Sequence, residues 1–304
     1  MLHASSRPKF PYLVIVALIA SVAVADAEPL VVRDDLGQTL RFDRAPRRIV
    51  SLSPALTEML FAIGLDDAIV GVSDFCNYPP AALDKPKVGG IQPNFEAVVA
   101  LKPDLVVSTG GAAMRNVAQQ LARFHVPVLG VEADSVESIL ARVTLLGRVT
   151  GRDDAAAALV NDMRRRLAAI AANRSDAPAP RVLYLVDDVP TITIGPKSFL
   201  YDVVIKAGGK PLETGPSESY PRVGMEAIVR FDPEVIFFAG DSDAGAAEHA
   251  AAWQRWSGIS AVNADRMYAI PRDLVNRPGP RIIDAVEFIA AMLHPADQDT
   301  GRAP

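Results

Sequence analysis

The sequence predicts an α/β protein built as two related lobes, and three observations lead there. From Arg48 onward, short β-branched runs alternate with helix-like segments, the pattern of parallel sheets covered by helices on both faces. A block running from Glu96 to Val107 recurs, at a constant offset of 130 residues, as Glu226 to Phe237. The length of 304 residues suits two domains of ordinary size, each with its own core.

In the first half, Ile49 to Leu52, Ala68 to Ser73, Asp104 to Thr109 and Val126 to Val131 read as buried strands. Pro54 to Ile63, Asn94 to Leu101 and Ala112 to Phe124 read as helices between them. Ser53 is placed to cap the first helix with Pro54 at its opening position, and Gly64 stands where the chain must turn out of it. Two further helical patterns follow, Ser135 to Gly151 and Asp153 to Asn173. The second opens on Asp153 and Asp154 and carries Arg164 to Arg166 further along, charges that suit the helix dipole. An Ala/Pro-rich linker, Ser175 to Pro180, precedes the second half. There Arg181 to Val186, Glu234 to Ala239 and Met267 to Ile270 read as strands, and Lys197 to Ala207, Met225 to Phe231, Ala246 to Trp256 and Arg281 to Leu293 as helices. Each copy of the repeat is a short helix stopped by proline and followed by an apolar strand.

Composition narrows the function. With 31 basic against 36 acidic residues, the chain lacks the concentrated positive surface that a nucleic-acid backbone or an anionic membrane selects. Arg7 and Lys9 precede an apolar run from Leu13 to Ala25, and Ala25-Asp26-Ala27 follows, the form of a cleaved secretory signal over residues 1–27. The run falls short of the roughly 20 residues a membrane-spanning helix needs. The single cysteine, Cys76, lies too far into the chain to anchor a lipid at the mature terminus and has no disulfide partner. A free periplasmic protein is the expectation. No Gly-x-Ser-x-Gly elbow, glycine-rich phosphate loop or His-Glu-x-x-His helix is present, so an enzyme is the lesser alternative, with Asp241 and Asp243 the first carboxylates to inspect. The histidines, His3, His125, His249 and His294, have no metal-pair spacing, and no resident metal or cofactor is expected. In open parallel sheets the ligand crevice lies beyond the carboxyl ends of the strands, which selects loops rich in Pro, Gly and short polar residues.

Four segments carry a resemblance: Arg48-Ile49-Val50-Ser51-Leu52-Ser53-Pro54-Ala55-Leu56-Thr57-Glu58, Gly71-Val72-Ser73-Asp74-Phe75-Cys76-Asn77-Tyr78-Pro79-Pro80, the Glu96 to Val107 block, and Arg277-Pro278-Gly279-Pro280-Arg281-Ile282. Together they resemble the periplasmic substrate-binding proteins of ABC importers for vitamin B12, ferric siderophores and haem. The resemblance implies two Rossmann-like α/β lobes, residues 28–151 and 175–304, joined by a single long α-helix over 152–174, with the ligand gripped between them and no covalent chemistry.

By position in the members that bind vitamin B12, the resemblance implies ligand contacts at Phe75, at Tyr220 where those members have a tryptophan, and along Asp273, Leu274, Val275, Asn276 and Arg277. Two other tryptophan positions are Ile91 and Thr109 here, which thins the aromatic wall. The implied ligand is a cobalt corrinoid such as vitamin B12. A ferric siderophore or haem stays open, with Arg222, Arg272 and Arg277 placed to meet an anionic chelate and Tyr78 a candidate axial ligand. Glu96 and Glu226, the first acidic residues of the two repeat copies, fall where the family presents one carboxylate per lobe to arginines of an inner-membrane permease dimer with its ATPase. A first-turn glutamate also suits the helix dipole on its own account. Glu58 stands in a family-like segment with a structural or lobe-surface role expected. The protein is expected to act as a monomer. A sensor domain that binds ligand and signals to a receptor is the third alternative.

Overall fold

The computed structural model describes residues 28–174, 178–188, 191–240 and 243–295. The expected signal segment and Asp241 lie outside the described residues, as does the side chain of Asp243.

The chain opens with an antiparallel hairpin, β1 (Leu30–Arg33) and β2 (Thr39–Phe42), which the alternation pattern does not announce. Its turn is tied to the first half by Asp34, whose carboxylate accepts from the backbone of Gln38 at 2.7 Å and of Gly130 at 3.0 Å. The first half then runs β3 (Ile49–Ser51), α1 (Pro54–Ala62), β4 (Ile69–Val72), α2 (Phe95–Ala100), β5 (Leu105–Thr109), α3 (Ala112–Ala122), β6 (Val128–Val131) and α4 (Val136–Thr150). Its sheet is wholly parallel in the order β4-β3-β5-β6. Ile49, Val50, Leu105, Val106 and Val107 are all fully buried, as expected of strands covered on both faces. The predicted boundaries of α4 hold because the chain supplies both ends: Ser135 and Ser138 form a reciprocal cap, and Gly151 turns out in the left-handed region at φ 67°.

The chain crosses once to the second sheet, through α4 and α5 (Asp153–Ala172). The second half comprises β7 (Arg181–Asp188), β8 (Thr191–Thr193), α6 (Phe199–Lys206), β9 (Lys210–Pro211), α7 (Met225–Phe231), β10 (Val235–Ala239), α8 (Asp243–Trp253), α9 (Ser260–Asn263), β11 (Met267–Ile270), α10 (Arg272–Val275) and α11 (Ile282–Leu293). Its order is β11-β10-β7-β8, with β9 beside β7. This sheet departs from the expected all-parallel arrangement: β8 folds back antiparallel on β7, and Thr193 Oγ1 donates to the Tyr184 carbonyl at 2.7 Å.

The repeat is geometric as well as sequential. In the first copy, Asp104 accepts from the backbone amides of Arg47 and Arg48, and Arg48 Nε donates to the carbonyls of Leu101 and Lys102. In the second, Glu234 accepts from the amide of Arg181, and Arg181 Nε donates to the carbonyl of Asp232. Lys102 and Asp232, which close the two helices, both have positive φ, 47° and 48°. An arginine at the start of one strand thus caps the helix that leads into its neighbour, in both halves.

Apolar burial does not follow the expectation of one core per lobe. A single cluster runs from Ile49, Leu60 and Leu129 in the first half, through Val143 and Met163 of α4 and α5, to Tyr184, Phe237 and Ile289 in the second. Separate clusters cover only the outer faces, around Val106 and Leu121 on one side and Leu183 and Phe238 on the other. The reason is that α5 packs against α4 and also against α6 and α11, so the same helices cover the inner faces of both sheets. Polar ties follow the same path. Asp202 of α6 accepts from the amide of Val136 at the start of α4, at 2.8 Å. Arg166 of α5 donates to Asp284 at 2.5 Å and to Glu287 at 2.8 and 2.6 Å, both on α11.

The hydrogen bond from Arg166 lowers the pKa of Glu287. A carboxylate depressed in the folded state stabilises the fold above its unfolded pKa, and that contribution is lost as pH falls through the folded value. Glu287→Gln is therefore expected to lower the thermal midpoint at neutral pH and to narrow the gap to the wild type below about pH 4, as followed by circular dichroism.

Candidate functional site

The loops that end the parallel strands converge on one side of the molecule. The loop after β4 is anchored from beneath by a small buried polar network. Thr57 Oγ1 of α1 lies 2.8 Å from Ser51 Oγ, 3.0 Å from the Ser53 carbonyl and 3.1 Å from Cys76 Sγ, while Ser73 Oγ lies 3.2 Å from the same sulfur. Cys76 is fully buried, the small packed residue its setting suggests. Lys87 Nζ donates to the Cys76 carbonyl at 2.8 Å, fixing the loop from its other side. Held in this way, Phe75 stands 52% exposed. Its ring lies along Gly90, where an added Cβ would sit 3.3 Å from Phe75 Cζ. Neighbouring Ile91 is exposed as well, so the first half presents an apolar rim.

The second half answers with the loop after β11. Asp273, Leu274 and Val275 fall within α10, and Asn276 and Arg277 follow it. Val275 is fully buried and Leu274 packs on the same core, so these two seat the loop. Asn276 is exposed. Tyr220 is 47% exposed and lines a cavity of about 540 Å³ between the halves, together with Thr109, Glu132 and Asp134 of the first and Lys197 and Ser219 of the second. A second cavity of about 580 Å³ continues from Tyr220 into the second half alone. Each lies within the ordinary volume range of small-molecule sites.

Arg277 has a role the sequence did not disclose. Its side chain is only 11% exposed, and its Nη1 donates to Glu58 at 3.1 Å and to Asn77 Oδ1 at 2.6 Å, while Nη2 pairs with Asp273 at 2.7 Å. Asn77 Nδ2 closes the ring by donating to Asp273 at 3.3 Å. Glu58 is the centre of this cluster. It sits on α1 with its side chain 3% exposed, and Arg281 engages both of its oxygens, Nε at 2.9 Å and Nη2 at 2.7 Å. The Arg281 guanidinium also lies 4.0 Å from the centre of the Tyr78 ring, a cation–π contact, and the Glu58 hydrogen bond raises its pKa. The Tyr78 ring is thus a partner of Arg281. At Gly279 an added Cβ would meet the Ala55 carbonyl at 3.3 Å and Ala55 Cα at 3.4 Å, so the absence of a side chain lets the arginine segment lie directly on α1.

The structure therefore joins Asn77, Asp273 and Arg277 in one cluster, with Phe75 on the loop that supplies Asn77, and sets Tyr220 and Asn276 on the wall of the second cavity. Glu96 and Glu226 stand apart from it, each the second residue of its helix, α2 and α7. Both are exposed, and Glu226 is paired with Arg230 one turn on, at 2.6 Å. Among the described residues no group of three or more His, Cys, Asp or Glu side chains is placed to hold a metal ion. Glu58 was open to detection in the sequence: it is the lone charge of a helix that is apolar but for it and Thr57, and a charge there is buried only when paired.

Two α/β halves with a cavity between them and loops from both at its edge define a two-lobed binding protein. The chain belongs to the periplasmic binding protein family, whose pattern its residues 49–274 match. It is 31% identical to a cobalamin-binding protein of Halobacterium salinarum over 95% of this chain and 85% of that one. It is 30% identical to the vitamin B12-binding protein of Vibrio cholerae over 81% and 88%. Among solved structures, the V. cholerae periplasmic vitamin B12-binding protein BtuF superposes with a TM-score of 0.69 at 29% identity, covering 84% of this chain and 99% of that one. A periplasmic haem-binding protein of Pseudomonas aeruginosa superposes with a TM-score of 0.71 at 28% identity, covering 83% and 94%.

Removing the Glu58 charge leaves the guanidiniums of Arg277 and Arg281, both from the second half, without the carboxylate they share on the first. Breaking a buried pair by deleting one partner destabilises by several kcal/mol. Glu58→Gln is expected to lower the unfolding free energy in urea by about 3 kcal/mol, and Arg281→Lys, which loses the two-pronged contact, by less.

Proposed function

We propose that the protein is the periplasmic capture component of an ABC importer, exported by cleavage of residues 1–27, and that it carries a cobalt corrinoid such as vitamin B12 between its halves. The observation that supports this most is the cavity between the halves with an exposed aromatic at Tyr220; Phe75 and Ile91 of the first half are exposed apolar side chains as well. Side chains of this kind gain by covering an apolar macrocycle face, while Asn276 supplies an amide for its periphery. The names of the relatives from Halobacterium and Vibrio agree with this reading. The chemistry is capture and release, with α5 as the rod that links the lobes, so the reading assigns no catalytic residue. Arg277 acts as a positioning residue in it, since its donors are engaged by Glu58, Asn77 and Asp273, and Val275 and Leu274 support the loop from within.

Delivery requires docking on a permease dimer. A twofold-symmetric receptor presents two equivalent surfaces, and the repeat provides one exposed carboxylate per half at matching positions, Glu96 on α2 and Glu226 on α7. A haem or ferric chelate is the competing cargo, favoured by Ile91 and Thr109 where a fuller aromatic wall would be expected for a corrin and by the superposition on a haem-binding protein.

Absorbance titration with cyanocobalamin, dicyanocobinamide, haem and a ferric hydroxamate separates these readings. Saturable binding of a corrinoid is expected, with Phe75→Ala and Tyr220→Ala each weakening it about tenfold. Binding of haem alone would reassign the cargo, and failure of every chelate would remove the proposal. Glu96→Lys with Glu226→Lys is expected to abolish uptake in cells while leaving the purified protein's affinity unchanged; unimpaired uptake would refute the docking assignment.

A further inference from the structure

The second cavity has a feature that the cleft between the halves lacks. Tyr184, on the central strand β7, is 1% exposed, yet its hydroxyl has no hydrogen-bond partner among the described residues. Burial raises its pKa, so it stays a neutral phenol and a donor. The ring packs in the shared core with Phe237 and Val182, and its residue lines the cavity of about 580 Å³ with Phe199, Tyr220, Arg272 and Asn276. Tyr220 and Arg272, which line the same cavity, are also its electrostatic neighbours. A buried donor without an acceptor is unfavourable, and a tyrosine used only for packing is served equally well by phenylalanine. Tyr220 and Phe199 belong to both cavities, so the two adjoin at these side chains.

We infer that this cavity receives an arm of the bound ligand that ends in a hydrogen-bond-accepting oxygen, an amide carbonyl, carboxylate or phosphate, with Tyr184 as its donor. The inference rests on the reading of the protein as a chelate carrier and adds that the ligand is unsymmetrical in its demands: its flat face lies between the halves, and one polar arm reaches past Tyr220 into the second. Tyr184 is then a contact that selects for substituents on the macrocycle.

The test is Tyr184→Phe, titrated with cyanocobalamin, dicyanocobinamide and haem beside the wild type. The variant is expected to bind the cognate chelate about tenfold more weakly with a thermal midpoint equal to or above that of the wild type, because an unsatisfied hydroxyl has been removed. A merely structural tyrosine predicts the reverse, unchanged affinity. Equal loss for both corrinoids assigns the amide arms they share, loss confined to cyanocobalamin assigns the phosphate of its nucleotide loop, and loss on haem assigns a carboxylate. Val186→Trp narrows the same cavity from an exposed wall position and is expected to weaken the same ligand. Should both variants match the wild type while the wild type binds, the arm site is overturned and the carrier function stands. Should the wild type bind none of the three, the carrier reading falls and the arm site with it.

Discussion

The Glu58 carboxylate is the point on which the arrangement of the halves turns. A carboxylate at 3% exposure is tolerable only when charge and lone pairs are both answered, and here the answers come from the other half of the chain. Arg281 takes both oxygens in a two-pronged contact, and Arg277 takes a further lone pair on Oε1. A fork of this kind is directional, so it fixes orientation as well as distance. Because Arg277 is shared with Asp273 and Asn77, the contact that aligns the halves also shapes the loops after β4 and β11.

That economy explains the chemistry of the loops. Their rigidity comes from short polar side chains beneath them, Ser51, Thr57, Ser73 and Cys76, and from Lys87 bonding to a loop carbonyl. Side chains above, Phe75, Ile91 and Tyr220, are left exposed by the described residues. Preorganised loops lose little entropy on binding, which suits recognition of a bulky, inflexible ligand. The shared apolar cluster through α4 and α5 acts in the same direction, since the two sheets are packed on common helices rather than held as independent bodies.

The internal repeat accounts for the near-symmetry of the outer surface. In both halves an arginine at a strand start caps the preceding helix of the neighbouring strand, so α2 and α7 are held at equivalent places relative to their sheets. Glu96 and Glu226 inherit that equivalence. The repeat is incomplete: β8 and α10 have no counterpart in the first half, and the second cavity lies against α10.

Most elements were legible because local chemistry decides them. Ser135 and Gly151 bracket α4, Pro54 opens α1, and the β-branched runs of β3, β5 and β10 have too few polar residues to lie anywhere but within a covered sheet. The β1–β2 hairpin and β8 were not, since short edge strands depend on partners distant in sequence, such as Asp34 reaching Gly130. Among the candidate site residues, Phe75, Tyr220 and the 273–277 stretch were singled out by resemblance alone. The division of labour within that stretch was hidden: Val275 turns inward, Asn276 outward, and Arg277 is engaged by a carboxylate 219 residues away. The sequence by itself determined the two-half α/β plan and its repeat, because helix caps, proline stops and apolar periodicity act between near neighbours. Only the tertiary structure decided which two arginines are engaged by Glu58, that the Tyr184 hydroxyl lacks a partner among the described residues, and that the halves share a core, because each depends on a contact distance no local pattern encodes.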